Sequence, residues 1–345
     1  MKEMRMYVFA ASVLLLLAGL SGCSPRPVTA KATGLAYEII VTMRQDLWKS
    51  PAGEAIKNDL DTDLPGLPQS EPAFKITYVP PQHFNGLFTY VRNILIVNID
   101  PSAYTQVSVR TENDKWTKGQ MVMTINSPDS ESITEHMKSN STFISDFFSQ
   151  IEMRRGIEQA AGSYSPIVMD NLKSRFDIML NAPSEMSFIR NEQDFFWTSN
   201  NANTGRMDIV VYTFPYTDQN TFTQEYLVAK RDSILQKNLP GSLPGSYMAT
   251  EKRFDLSYTP ITLRGKYCGV LRGLWKMVGD MMGGPFISIA RLDEANNRVV
   301  VAEGFVYAPE TNKRNYIRRL EAALYTLRLP GELDQPAAES MKPIE

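Results

Sequence analysis

Residues 286–307 read FISIARLDEANNRVVVAEGFVY and decide the fold of the C-terminal part of this chain. Two apolar runs rich in β-branched side chains, 286–290 and 299–307, predict two strands. Asp293–Asn297 lies between them, and its Asp and Asn side chains are typical of turns. The stretch therefore predicts an antiparallel β-hairpin.

A helix is predicted soon after the hairpin. Its apolar residues recur at the spacing of one helix face: Ile317, Leu320, Leu324 and Leu327. Thr311 is the predicted N-cap, and Pro330-Gly331 ends the pattern. The helix is therefore predicted to be amphipathic, with one apolar face.

Short strands and helices also alternate along the rest of the chain. Strands are predicted at residues 37–43, 74–79, 93–99, 120–125, 175–180 and 208–214. Helices are predicted at 51–60, at 129–160 as one helix or two, and from a capping box at Thr221–Gln224 to Lys237. The predicted fold class is α+β, with antiparallel sheets packed by amphipathic helices.

The length of the chain suggests two α+β halves, residues 35–165 and 166–330, followed by a disordered tail at 331–345. The segments before two strands resemble each other: Phe74-Lys75-Ile76 precedes residues 92–97, and Phe176-Asp177-Ile178 precedes residues 206–211. Two readings follow, a duplicated α+β unit or a chance likeness between short apolar strands.

The N-terminus predicts a lipoprotein signal peptide at residues 1–22. Lys2 and Arg5 are basic, and the apolar run Tyr7–Leu20 extends at most about 21 Å as a helix, which is short of a bilayer core of roughly 30 Å. Leu20-Ser21-Gly22-Cys23 follows the pattern of small residues before a lipidated cysteine. We therefore expect cleavage before Cys23 and its lipidation. The alternatives are an ordinary signal peptide or a buried cysteine.

Residues 23–34 are predicted to form a tether between the lipid and the first half. Attachment through more than one acyl chain gives stable membrane anchoring, so the membrane itself is the first predicted partner. The tether has no acidic residue, whereas an acidic run after the cysteine resembles the surface-export tag of Bacteroidetes lipoproteins. We therefore expect the protein on the inner leaflet of the outer membrane, facing the periplasm.

Composition and motifs argue against several other functions. A net charge of −2 gives no general attraction to nucleic acid. His83 and His136 form no local zinc motif, and no phosphate-binding glycine loop or nucleophile elbow occurs. After lipidation of Cys23, Cys268 is the remaining thiol, in a predicted strand that favours a buried, inert side chain. No metal, cofactor or catalytic residue is therefore predicted.

Candidate binding residues come from two regions of the sequence. Arg272 and Trp275 lie close together and near a glycine-rich segment, and Arg and Trp are common at binding hot spots. Trp116 occupies a comparable place in the first half, and Arg92, just before a predicted strand there, is the fourth candidate. The structural alternative is a core Trp275 whose neighbour Arg272 pairs with a carboxylate.

Several of these segments resemble a known lipoprotein family, the one catalogued as domain of unknown function 4837. The resemblance rests on Leu67–Phe74, Arg92–Ile94, Arg272–Trp275, Met282–Phe286 and Lys313-Arg314, and it extends over roughly residues 35–328. It implies an envelope location and an origin in Bacteroides and related Gram-negative bacteria. It implies no activity, so no catalytic residue follows from it.

These observations favour an envelope lipoprotein that acts as a non-enzymatic binding or assembly-support protein, with an unknown envelope protein or glycan as its partner. One alternative is a hydrolase that acts on envelope glycan or peptidoglycan. Another is a domain that captures a small ligand near Arg272 and Trp275.

Overall fold

The computed structural model describes residues 30–337 and 341–343. The predicted signal peptide, Cys23 and most of the tether lie outside the described residues. The described part contains seven α-helices and fourteen strands in two sheets, which confirms the α+β fold class. None of its helices is both long enough and apolar enough to cross a membrane.

The first half contains a five-stranded sheet in the order β2-β1-β3-β5-β4. Its strands are β1 (Glu38–Thr42), β2 (Lys75–Tyr78), β3 (Asn93–Ile99), β4 (Ser108–Asn113) and β5 (Met121–Ser127). The pairs β1–β2, β1–β3 and β3–β5 are parallel, and only β4 joins β5 in the antiparallel sense. The mostly parallel pairing of this sheet differs from the antiparallel pairing expected from the sequence. It could not be predicted, because parallel neighbours are joined by long crossover connections that strand patterns do not reveal.

Helices cover one face of this sheet. They are α1 (Gln45–Trp48), α2 (Pro51–Leu60), α3 (Ser130–Ser139) and α4 (Phe143–Gly162). Ile39 and Val41 of β1 pack towards these helices, whereas Ile40 belongs to a smaller cluster on the other face. The segment 129–160, predicted as one helix or two, forms the two helices α3 and α4. The chain turns between them at Thr142, which has a φ of 63°.

The second half contains a nine-stranded sheet in which every pairing is antiparallel. Its strands are β6 (Phe188–Asn191), β7 (Phe195–Ser199), β8 (Arg206–Pro215), β9 (Tyr247–Thr250), β10 (Ser257–Leu263), β11 (Lys266–Val278), β12 (Gly283–Asp293), β13 (Arg298–Tyr307) and β14 (Met341–Pro343). The order is β14-β10-β11-β12-β13-β8-β7-β6, and β9 also pairs with β11. The predicted hairpin is β12–β13, with Phe286 opposite Phe305 and Asp293 opposite Arg298.

Three helices pack on the nine-stranded sheet and form a layer on each of its two faces. They are α5 (Pro166–Phe176), α6 (Gln224–Asn238) and α7 (Arg314–Leu324). Leu227 and Leu235 of α6 share one core with Val210 of β8. The apolar faces of α5 and α7 share a second core with Ile209 and Val211 of the same strand. Successive side chains of β8 point to opposite faces of the sheet, so this strand contributes to both cores.

The strand predicted at residues 175–180 is wrong, because α5 continues through Phe176. Asp177 ends that helix in the left-handed conformation with a φ of 53°. Ile178 and Leu180 are fully buried, so the alternation of apolar residues that suggested a strand comes from a buried connection.

The predicted capping box at residues 221–224 is displaced in the structure. Asp218 and Thr221 form a capping box for a short 3₁₀ helix at Gln219–Phe222. The cap of α6 is Thr223, whose hydroxyl accepts a hydrogen bond from the N–H of Tyr226.

The two halves do not repeat one structure, since one sheet is mostly parallel and the other is antiparallel. The sequence echo places Phe74 before a strand but Phe176 at the end of a helix. The start of the predicted disordered tail also differs. Glu332 is buried and forms an ion pair with Arg291 at 2.6 Å, so residues just after Pro330 belong to the core. Residues 338–340 and 344–345 lie outside the described residues.

Helices α4 and α7 begin without a cap from their own neighbouring side chains. The carboxylate of Asp59, at the end of α2, accepts hydrogen bonds from the backbone N–H groups of Ile144 at 3.2 Å and Ser145 at 2.7 Å. Carboxylates at helix N-termini satisfy free amides and interact favourably with the helix dipole. A residue from α2 therefore caps α4.

Glu71 caps α7 in the same way, but from the other half of the chain. Its carboxylate accepts hydrogen bonds from the N–H groups of Lys313 at 2.7 Å and Arg314 at 2.9 Å. The predicted cap, Thr311, does not perform this role. The error has a physical reason, because the acceptor lies more than two hundred residues earlier and leaves no local pattern.

We expect Glu71→Ala to lower the free energy of unfolding by about 1–2 kcal/mol, the usual cost of losing an N-cap. Chemical denaturation measures this change, and amide hydrogen exchange at Lys313 and Arg314 should become faster. Glu310→Ala is the matched control, because Glu310 is exposed and close to the same helix end. Its effect should stay within about 0.5 kcal/mol. Equal effects of the two substitutions would contradict the capping role of Glu71.

Candidate functional site

A cavity of about 270 Å³ lies where the two halves meet. Helix α4 and residues 35–37 form its walls on the side of the first half, and helix α7 forms the wall on the other side. Its polar and charged lining includes Tyr37, Arg92, Glu152, Arg318 and Arg319. We call this cavity the junction cleft.

Small residues explain the shape of the junction cleft. A Cβ atom added to Gly156 of α4 would lie 2.9 Å from the Cβ of Ala322 in α7, so the two helices approach each other closely at this point. Ala160 and Ala323 continue the lining on the same two helices. Their short side chains leave open the volume that larger residues would fill.

Glu152 forms one charged wall of the cleft and is only 2% exposed. Its Oε1 accepts a hydrogen bond from Asn93 at 2.7 Å and forms ion pairs with Arg92 at 3.0 Å and Arg155 at 2.7 Å. Its Oε2 is buried and has no hydrogen-bond partner in the described structure. An unsatisfied buried oxygen costs about 1–3 kcal/mol, which a donor from water or a ligand would recover.

Arg318 forms the facing wall. Its guanidinium lies 5.6 Å from the ring centroid of Tyr37 and donates to Glu321 at 3.0 Å, while its Nε has no partner in the described structure. Burial raises the pKa of Tyr37 above its ordinary value, so the phenol stays protonated and neutral. Arg319, also on α7, pairs with Glu185 and is partly exposed at the rim.

Arg272 lies one layer behind the cleft. It pairs with Glu321 and donates to the hydroxyl of Tyr325 at 3.2 Å. Burial alone would raise the pKa of Glu321, but Arg272 and Arg318 outweigh it and lower this pKa to about 2. Arg272 therefore holds Glu321, and Glu321 in turn holds Arg318 at the cleft wall.

The two candidate tryptophans lie away from the cleft. Trp275 is 2% exposed, donates from Nε1 to the carbonyl of Val306 at 3.2 Å and packs against Phe305. This placement corresponds to the structural alternative of a core tryptophan. Trp116 packs edge-on against Phe84 on the other face of the first sheet. Of the four candidate residues, the structure brings Arg92 to the cleft and Arg272 behind it.

Sequence reasoning missed Glu152 and Arg318. Glu152 had a usable signal, because it follows Ile144 and Phe148 at intervals of four residues and so falls on the buried face of α4. A carboxylate on a buried helix face needs a charged partner, which points to a site or a junction. Arg318 had no such signal, since it follows the apolar position Ile317 within an otherwise ordinary charged helix.

The comparisons with known proteins divide the chain at the same junction. Residues 165–326 match the family described as Domain of unknown function (DUF4837). The resemblance predicted from sequence is thereby confirmed for the DUF4837 part. Residues 32–161 match a different family, Domain of unknown function (DUF8532). This range contains the motifs Leu67–Phe74 and Arg92–Ile94. No curated protein matches the chain.

The junction cleft is therefore lined by residues from both parts of the chain, each of which matches a different family. Arg92 and Glu152 come from the DUF8532 part, whereas Arg318 and Arg319 come from the DUF4837 part. Within the described residues, no group of three or more His, Cys, Asp or Glu side chains is arranged to hold a metal ion. Cys268 is buried, and burial raises its pKa to about 12, so its thiol stays protonated.

We expect Glu321→Gln to lower the free energy of unfolding by about 3–5 kcal/mol, because it leaves the buried Arg272 and Arg318 without their anion. The matched control is Glu185→Gln, which breaks the exposed pair with Arg319 on the same helix. Its expected cost is about 0–1 kcal/mol. Urea denaturation near neutral pH measures both changes, and equal losses would contradict the central role of Glu321.

The difference in stability between the wild type and Glu321→Gln should also depend on pH. The pKa of Glu321 is lower in the folded protein than its ordinary value of 4.5, so its contribution to stability is complete above that value and is lost as pH falls towards about 2. Wild-type stability should therefore decrease over this interval by more than that of Glu321→Gln. If the free energies of unfolding of the wild type and Glu321→Gln fell by the same amount over this pH interval, the lowered pKa of Glu321 would be refuted.

Proposed function

We propose that this protein is a lipid-anchored envelope lipoprotein that binds the anionic group of an envelope molecule in its junction cleft, without catalysing a reaction. The observation that carries this proposal is a cavity shared by both halves and lined by three arginines and one carboxylate. Ligand sites occur preferentially at such junctions between domains.

The charge of the cleft favours an anion. Arg92 and Arg319 are partly exposed, and their ion pairs with Glu152 and Glu185 use only some of their N–H groups, so the guanidinium groups can still donate to a ligand. Guanidinium groups bind phosphate and carboxylate oxygens through two parallel hydrogen bonds. The small volume fits a single phosphate or carboxylate group with its immediate substituents, so a larger molecule would place only one end in the cleft.

The geometry gives less support to hydrolysis of glycan. A glycoside hydrolase uses two facing carboxyl groups, but among the described residues that line the junction cleft Glu152 is the one carboxylate. A shallower depression beside α2 is lined by Glu54 and Asp59. Asp59 there is occupied as the cap of α4, and Glu54 pairs with Lys57. These carboxylates have structural partners.

The proposed anchor is Cys23, at the inner leaflet of the outer membrane and facing the periplasm. It rests on the sequence pattern around Cys23, since this residue lies outside the described part of the chain. The described body begins at Ala30. Six residues connect the two positions, so the body would remain within about 25 Å of the lipid.

We expect Cys23→Ala to move the protein from the membrane fraction to the soluble fraction, because the substitution removes the acylated side chain. Cys268→Ala is the control, since it removes the other cysteine and leaves the anchor intact. Fractionation with detection of incorporated fatty acid measures both. A Cys23→Ala variant that is still acylated and bound to membranes would refute the anchor.

Inorganic phosphate is the probe that we choose for the cleft. It should raise the melting temperature of the wild-type protein, because a ligand that binds only the folded state stabilises it in proportion to the logarithm of its concentration. Ala160→Leu fills the cleft without changing any charge, and Arg92→Gln removes one donor. Both variants should reduce the shift in melting temperature at least threefold.

The matched control is Ala55→Leu, which fills the depression beside α2 with the same half-buried substitution. It should retain the wild-type response to phosphate. An equal response in all four proteins, or no response in the wild type together with no ligand detected by native mass spectrometry of the protein purified from membranes, would refute the proposal.

A further inference from the structure

Between β2 and β3 the chain exposes a group of large apolar side chains. The 3₁₀ helix Gly86–Tyr90, which we call the apolar turn, leaves Leu87 83% exposed, Phe88 40% exposed and Tyr90 39% exposed. None of the three belongs to a buried core cluster of the described structure. Adjacent exposed apolar residues of this kind mark an interaction surface.

The apolar turn is held rigidly in its exposed position. The buried side chain of Gln120 donates to the carbonyl groups of Thr89 and Val91, each at 2.7 Å. The hydroxyl of Thr89 donates to the carbonyl of Gly86 at 2.7 Å. The turn therefore presents its apolar side chains as part of the fold.

The first described residues of the chain lie against this same turn. The N–H of Thr33 donates to the carbonyl of Tyr90 at 2.8 Å, and the N–H of Arg92 donates to the carbonyl of Thr33 at 3.0 Å. Ala30 and Ala32 pair with the backbone of Lys118 on the neighbouring loop. The segment that leads back to Cys23 therefore leaves the body beside the apolar turn.

Two basic side chains flank the point where the chain leaves the body. Lys31 and Lys118 are exposed and face each other through a backbone bridge. Neither lysine forms an ion pair within residues 30–337. Basic side chains close to a membrane are attracted to anionic lipid headgroups.

We propose that the apolar turn, together with Lys31 and Lys118, rests on the surface of the bilayer in which Cys23 is anchored. The inference rests on the proposed lipid anchor, because only six residues lie between Cys23 and Ala30 and keep this side of the body close to the membrane. Aromatic and aliphatic side chains flanked by lysines suit the boundary between headgroups and acyl chains. The bilayer thus covers the exposed apolar surface.

The test uses the full acylated protein in vesicles of phosphatidylethanolamine and phosphatidylglycerol. Leu87→Cys receives an environment-sensitive fluorophore, which labels this position selectively because Cys23 is acylated and Cys268 is buried. Leu243→Cys is the matched control, since Leu243 is 54% exposed on a loop of the second half. The label at position 87 should brighten at least threefold on reconstitution and be quenched by lipids that carry a nitroxide, whereas the control label should not.

The possible results separate this inference from the anchor proposal. If the protein floats with the vesicles but the label at position 87 stays as accessible to an aqueous quencher as the control label, the surface assignment is overturned. Brightening without quenching by nitroxide lipids would also overturn it and would indicate a protein partner on the turn. If the acylated protein does not float with the vesicles, the anchor proposal fails, and this inference fails with it.

Discussion

The architecture depends on two carboxylates that cap helices from a distance. Asp59 accepts the first amides of α4, and Glu71 accepts the first amides of α7. Neither helix has a cap from its own flanking residues, so its start is defined by a segment that folds elsewhere. Burial raises the pKa of Asp59, and the hydrogen bonds from the N–H groups of Ser145 and Ile144 oppose that rise, so keeping this carboxylate ionised has a desolvation cost. Its clearest effect is therefore to fix the position of α4.

The position of these two helices determines the cleft. Helix α4 contributes Ile144 and Phe148 to the core of the first half and Met153 and Ile157 to the core of the second. It therefore belongs to both halves, and α7 packs against it where Gly156 meets Ala322. Because the arginines of α7 and Glu152 of α4 are carried by helices with fixed starts, their spacing does not depend on a flexible linker. Such preorganisation reduces the ordering cost of binding a ligand.

Local sequence patterns predicted most of the secondary structure. Helix α2 follows from Ser50-Pro51, and the hairpin β12–β13 follows from its alternation and turn residues. The direction of the first sheet could not be predicted, because it depends on how crossovers place β2 and β3 beside β1. For the same reason, only part of the site could be predicted from the sequence. Arg92 was a candidate, but Glu152 and Arg318 acquire a role only when α4 and α7 meet.

The first described residues lie next to the cleft in the fold, and with the proposed anchor at Cys23 this limits which molecules the protein can meet. Arg92 of the cleft follows Tyr90 of the apolar turn by two residues, and its N–H is bonded to Thr33 at the start of the body. With the apolar turn on the bilayer, the cleft would lie near the headgroup region. A tethered site meets molecules within reach of its tether at a raised effective concentration. Anionic groups at the membrane surface would then have an advantage over free anions, because the anchor limits the volume that the cleft can search.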